Sequence, residues 1–172
     1  MKHPKEPVSN PYRREDVPMR LKDLLKPEHI ELEIKSEDKI GVLREMVDLF
    51  HLEEKAREIL LETLKKREEL GSTGVGKGIA IPHCRSLLVK DLHLAIGRSR
   101  KGVDFGALDG KPVHLFFLII ASPLEPSNQY LIVLGKIAQI AREITKESKI
   151  LEIANKTELF QYMQEIEDNL KG

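Results

Sequence analysis

Over the first 70 residues the apolar positions change period from two to about three and a half. Ile30, Leu32 and Ile34 alternate with polar residues, the repeat of a strand with one buried face. Before them "LKDLLKP" predicts a short turn of helix stopped by Pro27. From Ile40 the spacing turns helical through Leu43, Met46, Val47 and Phe50, with Ser36 as the expected N-cap and Glu37 and Asp38 in the first turn. A second helix is predicted over about residues 53–69, with Ala56, Ile59, Leu60, Thr63 and Leu64 on one stripe and Gly71 as its stop.

Beyond Gly71 the pattern becomes strand-like: "GIAIPH" (78–83), "LHLAIGRS" (92–99) and "KPVHLFFLIIAS" (111–122). The last is a nearly continuous apolar run, as expected of a central strand covered on both faces. Helical spacing returns with Tyr130, Leu131, Leu134, Ile137, Ala138 and Ala141, for which Ser127 is the expected N-cap. "ESKILEIAN" and "TELFQYMQEIEDNL" predict two further helices, the second capped by Thr157. Helices, then strands, then helices imply an α/β fold, a mixed β-sheet flanked by helices on both faces. Residues 1–19 hold Pro4, Pro7, Pro11 and Pro18 among charged residues and read as a flexible arm, leaving 20–172 as one domain.

Composition narrows the partners. Twenty-eight basic residues balance 28 acidic ones, so no global charge argues for nucleic acid or an anionic membrane. No apolar run approaches the roughly 18–20 residues that span a bilayer, and the charged N-terminus lacks the apolar core of a secretory signal. A single cysteine, Cys84, excludes an internal disulfide and fits a reducing compartment, so a cytoplasmic location is expected.

From Gly71 the chain reads G-S-T-G-V-G-K-G, close to the G-x-x-x-x-G-K-[ST] of a nucleotide P-loop. Three features oppose that assignment. Gly78 replaces the hydroxyl residue that would ligate Mg²⁺, the loop runs from a helix into a strand rather than the reverse, and the central strand ends "IIASP" without a carboxylate. A plain wide turn accounts for Gly71 and Gly74 but not for the proline and histidine that close the strand.

Of six histidines, His3, His29 and His51 lie in the arm or at element ends and suit solvated roles. His93 and His114 lie inside strands, where a hydrogen-bonded structural imidazole is the ordinary case. His83 follows Pro82 at a strand end, a stiff platform on an exposed rim. A Cys–His pair with Cys84 is disfavoured because neighbours on a strand point to opposite faces, and no spacing suggests a zinc site. Lys65, Lys66 and Arg67 end the preceding helix, and Arg85 follows the histidine. The helix dipole accounts for part of this cluster, but guanidinium and glycine N–H groups beside a histidine also suit a phosphoryl group.

"REELGSTGVGKGIAIPH" resembles the active-site signature of the IIA domains of the bacterial phosphoenolpyruvate-dependent sugar phosphotransferase system, fructose/mannitol type, which includes the nitrogen-regulatory IIA proteins. "FGALDGKPVHLFFLIIASP" and "YLIVLGKIAQIAR" resemble later parts of the same family, and the likeness covers about residues 20–170. The resemblance implies a phosphohistidine carrier. His83 would take phosphate from a histidine-carrier protein and pass it to a IIB partner or use it as a regulatory signal. It also implies that Arg67 steadies the phosphate and that Thr73, Gly74, Gly76 and Gly78 form the site's loop. No metal, nucleotide or other cofactor is demanded. One departure is Tyr130, with Gln129 before it, where family members often carry a second histidine. The alternative is a IIA-like module that regulates by docking, with little or no transfer. The sequence names neither a sugar nor an oligomeric state.

Overall fold

The computed structural model describes residues 20–125, 128–144 and 148–170. The expected arm, residues 1–19, and the expected cap at Ser127 lie outside them. A short helix α1 (Leu21–Leu24) leads into strand β1 (Leu25–Glu31) and helices α2 (Lys39–Asp48) and α3 (Glu54–Glu69). Five strands follow: β2 (Gly74–Gly76), β3 (Ile79–Ala80), β4 (His83–Arg85), β5 (His93–Val103) and β6 (Val113–Ala121). Helix α4 (Gln129–Ile144), a 3₁₀ turn (Ser148–Leu151) and helix α5 (Lys156–Asn169) complete the order.

The sheet is mixed and six-stranded, in the order β1-β5-β6-β3-β2, with β4 also paired to β6. β5 and β6 form a long antiparallel pair, while β1 lies parallel to β5 and both β3 and β4 lie parallel to β6. β6 is buried along nearly its whole length, as its apolar run predicts, and its alternate residues feed two cores. Leu115, Phe117, Ile119 and Ala121 pack with α4 and α5, whereas Phe116, Leu118 and Ile120 pack with α2 and α3. Fully burying each Phe or Ile side chain contributes about 1.5–3 kcal/mol, so this strand is the main apolar anchor of both layers.

Several local expectations shift. Pro27 does not end a helix; it lies inside β1, which is tolerable because β1 is an edge strand. The α2 cap is Asp38, whose Oδ1 accepts from Gly41 N at 2.7 Å. Ser36 instead joins Glu45, a carboxylate from the next turn of chain that competes for its hydroxyl and N–H. The α3 stripe is rotated toward Leu60, Leu61, Leu64 and Glu68, leaving Ile59 46% exposed. Only a 3₁₀ turn forms over 148–151, and α5 is capped by Asn155 rather than Thr157.

One buried cation ties the C-terminal segment to the sheet. Arg98 on β5 donates to the carbonyls of Leu32, Ile150 and Ile153, and burial lowers its pKa from the usual arginine range. Its main-chain acceptors offset part of the desolvation cost.

Candidate functional site

The line formed by β3 and β4 runs beside β6 without a slip in register, yet it is broken at Ile81 and Pro82. Pro82 has no N–H for a ladder bond, although its carbonyl accepts from Ile119 N at 3.0 Å. Ile81 N turns the other way and donates to Thr73 O at 2.9 Å. The break leaves the Ile81 carbonyl free to accept from the ring of the residue that follows the proline. His83 Nδ1 lies 2.7 Å from Ile81 O, so Nδ1 carries the proton and Nε2 holds the lone pair. His83 is half-buried at the first position of β4.

The end of α3 is held by a polar network. Glu68 is buried, accepts from both the backbone N and Oγ1 of Thr73, and pairs with Lys39 Nζ at 2.9 Å. Lys39 also lies over the Phe105 ring, 4.7 Å from its centroid. The Arg-Glu and Ser-Thr pairs of the sequence thus answer each other: Glu68 holds Thr73, and Arg67 folds back onto the same turn. Arg67 donates from a terminal guanidinium nitrogen to Gly71 O at 2.9 Å, which leaves its remaining N–H groups unengaged by any carboxylate among the described residues. Sequence reasoning gave no role to Glu68, although it lies in the Arg-Glu pair of the quoted motif, and did not single out Lys39. A further signal was a glutamate on the buried stripe of α3, a place carboxylates occupy only when paired.

The glycines divide. Gly74 is buried, and a Cβ there would come within 2.8 Å of the Ala107 backbone, so close approach of two chain segments explains it. Gly76 and Ile79 flank a two-residue hairpin turn, Lys77-Gly78, whose φ values are 56° and 81°. Gly78 O accepts from His114 N and Leu115 N at the beginning of β6, whereas His83 pairs with Ile119. Four residues of strand, roughly 13 Å, separate those points. The carboxylate of Asp109 also occupies the hairpin, accepting from Lys77 N at 2.8 Å. Thr73 O thus takes the N–H of Ile81, two residues before His83, and Arg67 lies within electrostatic range of Tyr130, whereas Gly76 and Gly78 are set apart, beside a negative charge unsuited to phosphate.

Tyr130, in the first turn of α4, stands beside His83 with ring centroids 6.2 Å apart and an interplanar angle of 54°. It is 7% exposed, and burial pushes its hydroxyl pKa up to about 12, with the Cys84 thiol adding to the rise and Arg85 and Arg67 opposing it. The phenol is therefore neutral at ordinary pH. Arg85 lies over the ring, its guanidinium carbon 4.8 Å from the centroid. The Glu125 carboxylate accepts from Gln129 N and Tyr130 N and so closes the start of α4.

Cys84 points away from His83, into the core with α2 and α3, where burial raises its thiol to about 12. Among the described residues, three other histidines have structural surroundings. His114 Nδ1 lies 2.8 Å from Ser99 O, and His29 and His93 pack edge-on against Phe50. His29 was expected to be solvated, but it is 8% exposed, because its ring packs against Phe50, just beyond the end of α2. His51 is exposed at the break between α2 and α3, with φ of 51°. Among the described residues no helix is long and apolar enough to cross a membrane.

Residues 23–166 match the family model described as "Phosphoenolpyruvate-dependent sugar phosphotransferase system, EIIA 2". The chain is 36% identical over 136 residues to the PTS system fructose-specific EIIABC component of Bacillus subtilis (strain 168), covering 78% of this chain and 21% of that protein. It therefore spans about a fifth of that relative. It is 31% identical over 152 residues to the nitrogen regulatory protein of Pseudomonas aeruginosa, covering 87% of this chain and 98% of that one. The nitrogen regulatory protein IIA-Ntr from Neisseria meningitidis superposes with a TM-score of 0.73 at 32% identity, over 82% of this chain and 97% of that one. With its mixed sheet, flanking helices and histidine after the broken strand, the chain belongs to the EIIA 2 family of the phosphoenolpyruvate-dependent sugar phosphotransferase system.

Proposed function

We propose that the chain is a phosphoryl carrier that holds phosphate on Nε2 of His83. The observation that carries this reading is the 2.7 Å contact between His83 Nδ1 and the Ile81 carbonyl, which leaves the opposite nitrogen with its lone pair. In the transfer the Nε2 lone pair forms the new N–P bond while the donor's bond to phosphorus breaks, and the leaving atom takes that electron pair. The proton stays on Nδ1. The ring, now substituted at both nitrogens, carries positive charge that faces the Ile81 carbonyl, which keeps the phosphoryl group ready for a second transfer. Phosphoryl transfer asks mainly for positioning and neutralisation of charge, and Arg67 supplies a planar fork for phosphate oxygens.

The phosphate donor in this reading is a histidine-carrier protein, and the acceptor is a IIB component or a regulatory target. Macromolecular partners are favoured by the surroundings of His83. Leu87, Leu124 and Leu131 lie just beyond β4, just beyond β6 and beside Tyr130, and are 72%, 77% and 56% exposed. Such apolar side chains around a polar centre suit docking of another protein surface. A reducing, cytoplasmic setting fits a single buried cysteine.

A second reading, a module that regulates by docking with little transfer, draws on Tyr130, whose neutral buried phenol cannot act as a charged or proton-accepting group. Incubation with phosphoenolpyruvate, enzyme I and the histidine-carrier protein separates the two. Carrier function predicts an acid-labile, base-stable phosphate on the chain, and its absence with any cognate carrier would favour docking alone.

A further inference from the structure

Arg85 is two residues beyond His83 on β4, so both side chains leave the same face of the strand. Their paired residues on β6, Ile119 and Ala121, face the α4 layer. The Arg85 guanidinium lies 4.8 Å from the centroid of the Tyr130 ring, and that ring stands 6.2 Å from the ring of His83. Among the described residues no carboxylate pairs with Arg85, although its side chain is exposed and the chain carries 28 acidic residues. Stacking on an aromatic face leaves the in-plane N–H groups of a guanidinium free. Tyr130 itself is buried, and its backbone N–H is held by Glu125 at the start of α4.

We infer that Arg85 is a second phosphate-binding residue of the site, and that Tyr130 is a positioning residue that holds the Arg85 guanidinium beside His83. This rests on His83 being the phosphate-bearing residue. Arg67, from the end of α3, and Arg85, from β4, then grip the phosphoryl oxygens from separate elements. Tyr130 acts through the face of its ring and not through its hydroxyl, which stays protonated and adds no negative charge next to the phosphate. The Tyr130 position is thus a cation-holding site in this chain rather than a lost acid–base group.

The test uses phosphoramidate as a small phosphoryl donor, so that partner docking does not enter. Its P–N bond breaks, ammonia leaves with the bonding electrons, and the phosphoryl group bonds to His83 Nε2. Relative to the wild type, Arg85→Ala should slow labelling by about 10- to 100-fold, the range for losing a charge-assisted hydrogen bond. Arg85→Lys should recover only part of the loss, because an ammonium has no planar fork. Tyr130→Phe should label within about threefold of the wild type, since the stacking face survives. Tyr130→Leu should match Arg85→Ala, and the double variant Arg85→Ala/Tyr130→Leu should be no slower than either single variant. Wild-type labelling by Arg85→Ala, or a Tyr130→Phe defect as large as that of Tyr130→Leu, would overturn the inference. Arg85 is exposed, so its variants keep the test open if Tyr130→Leu fails to fold. A wild type that takes no label from phosphoramidate would instead sink the His83 reading itself.

Discussion

Glu68 and Thr73 hold each other across the end of α3: the Glu68 carboxylate accepts from both the backbone N–H and the hydroxyl of Thr73. This link sets where the chain leaves the helix, and Thr73 O in turn accepts from Ile81 N beside the broken strand. The position of the His83 platform thus depends on a carboxylate 15 residues earlier in the chain.

Removing that carboxylate should therefore destabilise the fold as well as loosen the site. Glu68→Ala is expected to cost about 2–4 kcal/mol in urea unfolding, because two buried donors and Lys39 lose their acceptor. The low end applies if Lys39, 24% exposed, turns to water. Thr73→Val should cost less, and a double-mutant cycle should show coupling of about 1 kcal/mol or more. Additive losses would mean that the two side chains do not act as a unit.

The pH dependence of stability should show the aromatic corner of the molecule. Burial lowers the pKa of both His29 and His93 below their ordinary 6.5; Glu28 and Asp91 oppose the shift, while Lys26 adds to it for both and His51 for His29. Between the lowered values and 6.5 the unfolded chain binds more protons than the folded one, so stability rises with pH in that window. It is fully present above about 6.5 and is lost as the pH falls through the folded values. Urea midpoints at about pH 7.5 and 5.5 should differ in that direction. His29→Leu should shrink the difference, since the buried His29 Nδ1 has no hydrogen-bond partner to lose. A pH-independent midpoint would contradict this account.

Cys84 should be inert in the native state. Its thiol is buried and raised to about 12, so the thiolate that reacts with alkylating reagents is scarce. Alkylation at about pH 8 should follow global unfolding and speed up with added urea. Cys84→Ala should take phosphate like the wild type, because the side chain faces the α2 and α3 layer. A marked loss of labelling would restore the Cys–His pair that strand geometry disfavours.

Much of this was legible from residue patterns. The unbroken run of β6 announced a central strand, since apolar periodicity is a local signal. The strand expected over 78–83, by contrast, is broken at Ile81 and Pro82, so that His83 begins β4 rather than closing a strand. Helix faces were less legible. α4 was expected to bury Tyr130, Leu131, Leu134, Ile137, Ala138 and Ala141. Tyr130, Ile137 and Ala141 are buried and Leu134 and Ala138 pack partly buried against the core, but Val133, Ile140 and Ile144 join them while Leu131 and Ile132 are exposed. An apolar surface at the rim mimics a core stripe in sequence. The division of the glycines was also hidden, because hairpin glycines and loop glycines look alike until the register of β3 on β6 is known. The partners Glu68 and Lys39 meet across two helices, a contact no local pattern reports.

The central claim is that His83 bears the phosphate. Incubate the full chain and its His83→Ala variant with radiolabelled phosphoenolpyruvate, enzyme I and the histidine-carrier protein, and map the label by peptide. The wild type should carry an acid-labile, base-stable phosphate on His83, and His83→Ala none. Equal labelling of the variant, or label mapped to any other residue, would contradict the account.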